Sequence, residues 1–207
     1  LVASLSLDIF NKNSDIVHMA NIAQVVNVLQ ALILTEGNKM LRTPTYYVFK
    51  MYQDHQDATL LESFQTVNQV SHGIISRKTG NRKSVFDPNA VDLNNMPLSI
   101  DKLPLDEISH SASVNEIGEI LITMSNCSHN KPVSTNVIIL GGAFEVLSAR
   151  VLTGDFNEYN DFDDENRINI KPFKQFKKKI IGQNLAEDFE ETQTILNIIL
   201  PKCSVVS

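Results

Sequence analysis

The sequence predicts an α+β fragment of two domains, and three observations predict it. Residues 1–57 carry apolar side chains at helical spacing, interrupted by one short run that is apolar on both faces. From residue 58 onward that period gives way to short alternating runs separated by Gly, Pro, Asn and Asp. The first part also runs helix, strand, loop, helix, the order in which a repeating β/α unit closes. The expected organisation is therefore 1–57 as the C-terminal end of a β/α barrel, and 58–207 as a β-sandwich.

Residues 1–11 are the first expected helix, with 12–15 (KNSD) as the turn after it. No capping residue precedes Leu1, so the pattern opens inside a helix and the expectation is a piece of a longer protein. A signal peptide is the alternative for this end. It lacks a basic start and a small-residue cleavage site, and Asp8 interrupts the apolar stretch early. Residues 16–23 read as a buried parallel strand, 24–34 as its largely apolar continuation, and 35–39 (TEGNK) as a polar loop. Thr43 then caps a helix whose first position is Pro44, where a missing N–H costs nothing. Tyr46, Tyr47, Phe49, Met51 and Tyr52 make that helix rich in aromatics.

The second part offers strands at 73–75, 108–114, 120–127, 133–140, 144–153 and 195–200. In 120–127, Ile120, Ile122 and Met124 alternate with Leu121, Thr123 and Ser125, giving one apolar and one more polar face. Residues 115–119 (NEIGE) and the pair Gly141-Gly142 are turns. Residues 77–104 have little periodicity and read as a long surface excursion. Residues 177–192 are polar and read as a hairpin or short helix.

Bulk properties exclude several function classes. The 207 residues are 43% hydrophobic and 20% charged, enough for a sizeable core in one or two domains. A formal net charge of −6 gains nothing from a phosphate backbone, so nucleic acid is not an expected partner. The basic run 174–179 (KQFKKK) reads as a solvated strand end. No apolar run approaches the ~20 residues of a spanning helix, so no membrane partner is expected. Cys127 and Cys203 make neither a disulfide framework nor a metal site and are expected as reduced thiols in or near a core. The compartment is not fixed by the sequence, a cytoplasmic one being favoured over a periplasmic or secreted one. The acceptor triplet Asn126-Cys127-Ser128 lies in a strand pattern, which disfavours glycosylation.

Chemistry is sparse. In a barrel the working residues sit at the C-terminal ends of strands, which makes Gln24 and Asn27 the candidates to face a ligand. A Gln amide both donates and accepts, which suits sugar hydroxyls. The bland reading, that both satisfy backbone groups in a buried loop, stands beside it. Glycoside hydrolysis needs two carboxylates, and Glu36, Asp54, Asp57 and Glu62 are instead expected as solvated surface groups. His18, His55, His72, His110 and His129 show no metal-ligand spacing, and His18 is expected in a core or at a strand end. Neither a nucleophile elbow nor a phosphate-cradling loop is present, so no catalytic residue, metal or cofactor is assigned. The acidic stretch 155–164 (DFNEYNDFDD) superficially matches a calcium loop. Its sixth position is Asn160 rather than Gly, and a solvated loop is the favoured reading.

Four stretches carry a family resemblance: MANIAQVVNVLQALILTEG (19–37), TPTYYVFKMYQDHQDATLL (43–61), SARVLTGDFNEYNDFDD (148–164) and LPKCSVVS (200–207). Together they resemble the C-terminal part of the family 51 glycoside hydrolases, the α-L-arabinofuranosidases. The resemblance implies a (β/α)8 barrel joined to a jelly-roll-type sandwich, with residues 1–57 supplying helix 7, strand 8 and helix 8. It also implies a retaining exo-hydrolase acting on terminal arabinofuranosyl groups of arabinan and arabinoxylan. Its two catalytic glutamates lie on barrel strands four and seven, upstream of Leu1, so this chain alone is expected to be inactive. By the same resemblance Gln24 matches the glutamine that hydrogen-bonds the arabinofuranose, the one substrate-binding residue assigned. Tyr47 departs from the His that many relatives carry there, and 77–95 and 126–129 also look divergent. The implied partners are the upstream part of the same enzyme, arabinofuranosyl oligosaccharides and further copies of the chain. The competing readings are a carbohydrate-binding sandwich, disfavoured by the absence of Trp and 7% aromatics, and an oligomerisation module.

Overall fold

A computed structural model describes residues 1–66, 69–71, 104–184 and 190–207. The chain starts with helix α1 (Val2–Lys12), then the hairpin β1 (Ile33–Glu36) and β2 (Lys39–Arg42), then helix α2 (Pro44–Tyr52) and a 3-10 turn (Gln53–His55). The strands β3 (Thr59–Leu60), β4 (Gln69–Ser71), β5 (Pro104–Asp106), β6 (Ile108–Val114) and β7 (Ile120–Asn126) follow. The remainder is β8 (Val133–Leu140), β9 (Arg150–Thr153), β10 (Lys171–Pro172), β11 (Phe176–Asn184), β12 (Glu190–Leu200) and β13 (Ser204–Val206).

Two antiparallel sheets build the body: a six-stranded one in the order β10-β9-β13-β7-β6-β3, and a three-stranded one in the order β11-β12-β8. They face each other across a core of Ile108, Met124, Val151, Phe173, Ile198, Leu200 and Val206. The opposite face of the larger sheet carries both helices. There Tyr47, Val48, Met51 and Tyr52 pack with Leu152, Ile168 and Val205. Neighbouring residues separate cleanly: Val206 and Val151 go to the inter-sheet core, Val205 and Leu152 to the helix side. This is the period of two expected of a strand buried on both faces. The result is a mainly β architecture of three layers, helices on sheet on sheet.

Local chemistry explains the best-formed elements. Thr43 Oγ1 accepts from Tyr46 N–H at 3.4 Å and donates to the Ala31 carbonyl at 2.8 Å, so the cap also holds the preceding loop. Asn115 Oδ1 accepts from the N–H groups of Ile117 and Glu119, closing the β6–β7 turn with Gly118 at φ 83°. The expected strands 108–114 and 133–140 form over those bounds, and 120–127 ends one residue earlier.

Several expectations are corrected. Residues 16–23 form no strand, and Ile16 and Met19 are 72% and 78% exposed. A parallel barrel strand needs neighbours along both edges, and no described residue supplies them here, so the backbone runs as an unpaired arm. The continuation 24–34 ends in β1, and of the expected loop 35–39 only Gly37 and Asn38 are the hairpin turn, the others pairing in β1 and β2. Only the last four residues of 144–153 pair as a strand. Before them Phe144 N–H bonds the Thr194 hydroxyl at 2.8 Å instead of a ladder partner. Of the two readings for 177–192 the hairpin is the observed one, β11 against β12; the basic run 174–179 enters β11 at Phe176, and Lys178 pairs with Glu145. The expected strand 73–75 and the excursion 77–103 lie outside the described residues.

Candidate functional site

The arm between the helices carries the sequence-assigned residue. Gln24 is exposed, with φ 51°, and Asn27 has φ 56°. Left-handed backbone at two non-glycine residues costs energy that the surroundings must hold in place. Asn27 does part of that holding. Its amide donates to Thr35 Oγ1 and accepts from Thr35 N–H, both at 2.8 Å, while its own N–H reaches the Ile33 carbonyl. Val25 O accepts from both Leu32 and Ile33 N–H, so residues 25–33 fold back on the start of β1. The hairpin is fastened in turn by Asn160, whose amide donates to the Arg42 carbonyl at 2.9 Å. Asn27 does satisfy a backbone group, as the bland reading has it, but in an exposed loop rather than a buried one. Gln24 differs, since its amide has no hydrogen-bond partner among the described residues and remains available to a ligand.

Among the described residues no acid or base is bonded to it. Glu36, Asp57 and Glu62 are exposed, and Asp54 pairs with Arg150 at 3.2 Å. The acidic stretch turns its carboxylates toward cations: Asp155 to Lys202 at 2.6 Å, Asp161 and Asp164 to Arg167 at 3.3 and 3.1 Å. Asn160, at the position a calcium loop gives to glycine, is buried and bonds Ile168 through both N–H and carbonyl. Among the described residues no three His, Cys, Asp or Glu groups converge as metal ligands. Asn126 is fully buried, its amide donating to the Lys131, Leu200 and Pro201 carbonyls, which closes it to glycosylation in the folded chain.

The histidines are dispersed. His18 is exposed on the arm, not in a core, because the strand expected to bury it is unpaired. His55 bridges Ser113 Oγ at 2.7 Å and Thr123 Oγ1 at 3.0 Å, and burial lowers its pKa to about 4. His110 sits between Gln65 and Ser63 and is lowered to about 4 by burial and then by Lys12. His129 meets Phe156 edge-on at 6.4 Å, and His72 lies outside the described residues.

Sequence reasoning missed a polar seam under α1. Asp8, 1% exposed, accepts from Tyr52 Oη at 2.7 Å, Ser109 Oγ at 2.6 Å and Ser111 Oγ at 2.9 Å. Burial raises its pKa, opposed first by the Ser109 hydrogen bond. Ser4 and Ser125 join hydroxyls at 2.8 Å, and Asn11 donates to Ser111. The signal was present: Ser109, Ser111 and Ser113 alternate along one strand, Thr123 and Ser125 along the next, opposite Ser4, Asp8 and Asn11 at helical spacing. Every group has a partner, so the seam reads as helix anchorage.

Comparison with known proteins bears on all of this. The model of the α-L-arabinofuranosidase C-terminal domain family matches residues 1–191. Over 177 residues the chain is 39% identical to an intracellular exo-α-L-arabinofuranosidase of Bacteroides ovatus, covering 85% of this chain and 29% of that protein. The crystal structure of the family 51 arabinofuranosidase from Xanthomonas axonopodis pv. citri superposes with a TM-score of 0.73 at 29% identity, over 99% of this chain and 34% of that one. The family 51 enzyme of Bifidobacterium longum matches in fold, with a TM-score of 0.65 at 18% identity, over 99% of this chain and 33% of its own. The chain thus spans about a third of the length of the relatives it matches.

Proposed function

The chain belongs to the α-L-arabinofuranosidase C-terminal domain family, and from that premise we propose that it is the C-terminal region of a retaining, exo-acting family 51 arabinofuranosidase. In this reading residues 1–57 complete a (β/α)8 barrel and 58–207 form its jelly-roll sandwich. The two catalytic glutamates come from polypeptide outside this chain, and the chain alone does not turn over substrate. The substrate is a terminal arabinofuranosyl group of arabinan or arabinoxylan, and Gln24 hydrogen-bonds it. The complete protein works in the cytoplasm as a homo-oligomer.

One observation carries the reading beyond the family match. The arm is apolar yet bare: Met19 is 78% exposed, Val25 and Val26 45% each, and Leu29 has its whole side chain in solvent. A water-facing arm of that composition wastes its apolar surface, whereas in a barrel each residue has a neighbouring strand or helix to cover it. The left-handed, unpartnered Gln24 lies at the end of the segment expected to be strand, where barrel enzymes place ligand contacts. No described helix is long and apolar enough to cross a membrane, and the relative from Bacteroides ovatus is named intracellular.

The test is hydrolysis of an aryl α-L-arabinofuranoside by the 207-residue chain and by the full-length gene product. The full-length protein is expected to release the aryl group and the chain is not. Turnover by the chain alone sinks the placement of the glutamates. In the full-length enzyme Gln24→Ala should cost on the order of tenfold or more in rate, the loss of one transition-state hydrogen bond. An unchanged rate removes Gln24 from the site.

A further inference from the structure

We infer that the open edge of β8 is a docking strand for a second copy of this chain, the two β8 strands pairing antiparallel about a two-fold axis at Val137. Among the described residues the two body sheets have four edges, and three of them are protected against such pairing. β10 and β3, which end the larger sheet, are two residues each, and β10 includes Pro172. β11, at one side of the smaller sheet, bears Lys177, Lys178 and Lys179 in succession. Shortness, proline and lysine each discourage a strand from adding another. β8, at the other side, has eight residues, VSTNVIIL, with no charge, no proline and no glycine. Of the four, it alone is long and unprotected.

The ladder fixes which groups that edge offers. Gly141 N–H bonds the Thr192 carbonyl just past the end of β8, and Ile199 N–H bonds the Gln175 carbonyl just before β11. Opposed residues of an antiparallel pair alternate between bonded and non-bonded, so Val133, Thr135, Val137 and Ile139 direct their backbone groups to β12. Ser134, Asn136, Ile138 and Leu140 turn theirs to the open edge, where they have no partner among the described residues. The side chains of these four are exposed, with Ile138 and Leu140 at 56% and 58% beside Ile199 at 48%. A two-fold at Val137 sets Ser134 against the partner's Leu140 and Asn136 against the partner's Ile138. Each open donor then meets an open acceptor, and each residue meets one of its own face, as a ladder requires. The isoleucines and leucines of both copies join in one apolar patch on the outer face. Two three-stranded sheets become one of six strands, ended on both sides by the lysines of β11, so the assembly closes at two copies.

This pairing supplies a surface for the proposed homo-oligomer, and it rests on that reading in taking the catalytic barrel to be built on the helix side. The smaller sheet is the layer farthest from α1 and α2, so a barrel completed there leaves β8 open. Sedimentation of the 207-residue chain at micromolar concentration is expected to show a dimer. Ile138→Lys brings two ammonium groups together across the axis, and Asn136→Pro removes an edge-facing N–H while sparing the ladder to β12. Each should raise the dissociation constant by about a hundredfold or more, and Ile138→Lys should leave the melting of the dilute chain unchanged. In the full-length enzyme, Val137→Cys sets two thiols in a directly opposed, non-hydrogen-bonded pair, with Cα atoms ~4.5 Å apart and within disulfide reach. Mild oxidation should give a dimer whose linked peptides map to residue 137. A monomeric chain, or association that survives both edge variants but is lost in Leu29→Ser on the arm, overturns the assignment, as does the lack of a cross-link through residue 137. Hydrolysis of the aryl arabinofuranoside separates the two readings. A full-length enzyme that turns over as a monomer sinks the pairing and leaves the function, whereas an inactive dimer linked at residue 137 does the reverse.

Discussion

Helices α1 and α2 and the arm between them come from one continuous stretch, yet they behave as different materials. The helices are seated on the six-stranded sheet, with Met51 fully buried and Ser4 and Asp8 closed off beneath α1. The arm makes one isolated bridge, Val26 with Ile33, before the hairpin, and leaves Met19 and Leu29 in water. Both are apolar, so hydrophobicity does not separate them. The difference is what each meets: the helices pack on a sheet that this chain supplies, and the arm finds no such surface among the described residues. Burial depends on the partner as much as on the residue.

The largest effect expected is on the helix side. Met51→Ala empties the centre of the Tyr47, Val48, Leu152 and Val205 cluster and should cost about 3 kcal/mol in urea unfolding. A loss below ~1 kcal/mol would show that α2 docks loosely and that the contrast with the arm is weaker than drawn. Next comes Asp8→Ala. It strips the acceptor from Tyr52, Ser109 and Ser111 and should cost roughly 2 kcal/mol, since buried hydroxyls are left unpaired. Asp8→Asn keeps one acceptor and should cost less. If both variants unfold alike, the carboxylate's hydrogen bonds do not anchor α1.

Legibility in the sequence follows the same division. Strands β6 and β8 were readable to the residue because alternation reports a sheet with unlike faces, and α2 because Thr43-Pro44 is a local cap. The arm does not form the expected strand because an apolar run by itself does not supply the neighbouring strands that pairing needs. The run at 144–149 was misread for a related reason. Phe144 and Val146 alternate with Glu145 and Leu147 as a strand would, while Phe144 N–H bonds the Thr194 hydroxyl and only Ala149, at the end of the run, takes a backbone bond, from Phe173. Gln24 is proposed only through resemblance, since a lone Gln after an apolar run has no signature of its own. The polar seam was legible in principle, but only by setting the helix pattern against two strands a hundred residues away.

A pH titration sharpens the comparison at the seam. His55 and His110 have folded pKa values of about 4, below the ordinary 6.5, because burial disfavours their charge. A depressed histidine contributes stability above its unfolded pKa and loses it as pH falls through the window from 6.5 to about 4. Asp8 runs the other way. Its raised pKa makes its contribution fully present below the ordinary 3.8 and lost as pH rises through the folded value. The histidine contribution should therefore fall between pH 6.5 and 4, opposed by Asp8, and His55→Gln should remove its share of that fall while His110 keeps the rest. An unaltered slope in the urea midpoint would mean that His55 takes up its proton without leaving the seam.

The smallest effect is expected on the arm, and its smallness is the point. In the 207-residue chain Leu29 is wholly exposed, so Leu29→Ser removes no contact and should change stability by less than ~0.5 kcal/mol. In the full-length protein, if the arm is covered as proposed, the same change buries a hydroxyl against apolar neighbours and should cost ~2 kcal/mol or more. The two measurements belong together, because either alone has a trivial explanation. An equal, negligible cost in both would mean that Leu29 faces solvent in the complete enzyme too. The bare surface would then be a property of this arm rather than the imprint of a missing partner.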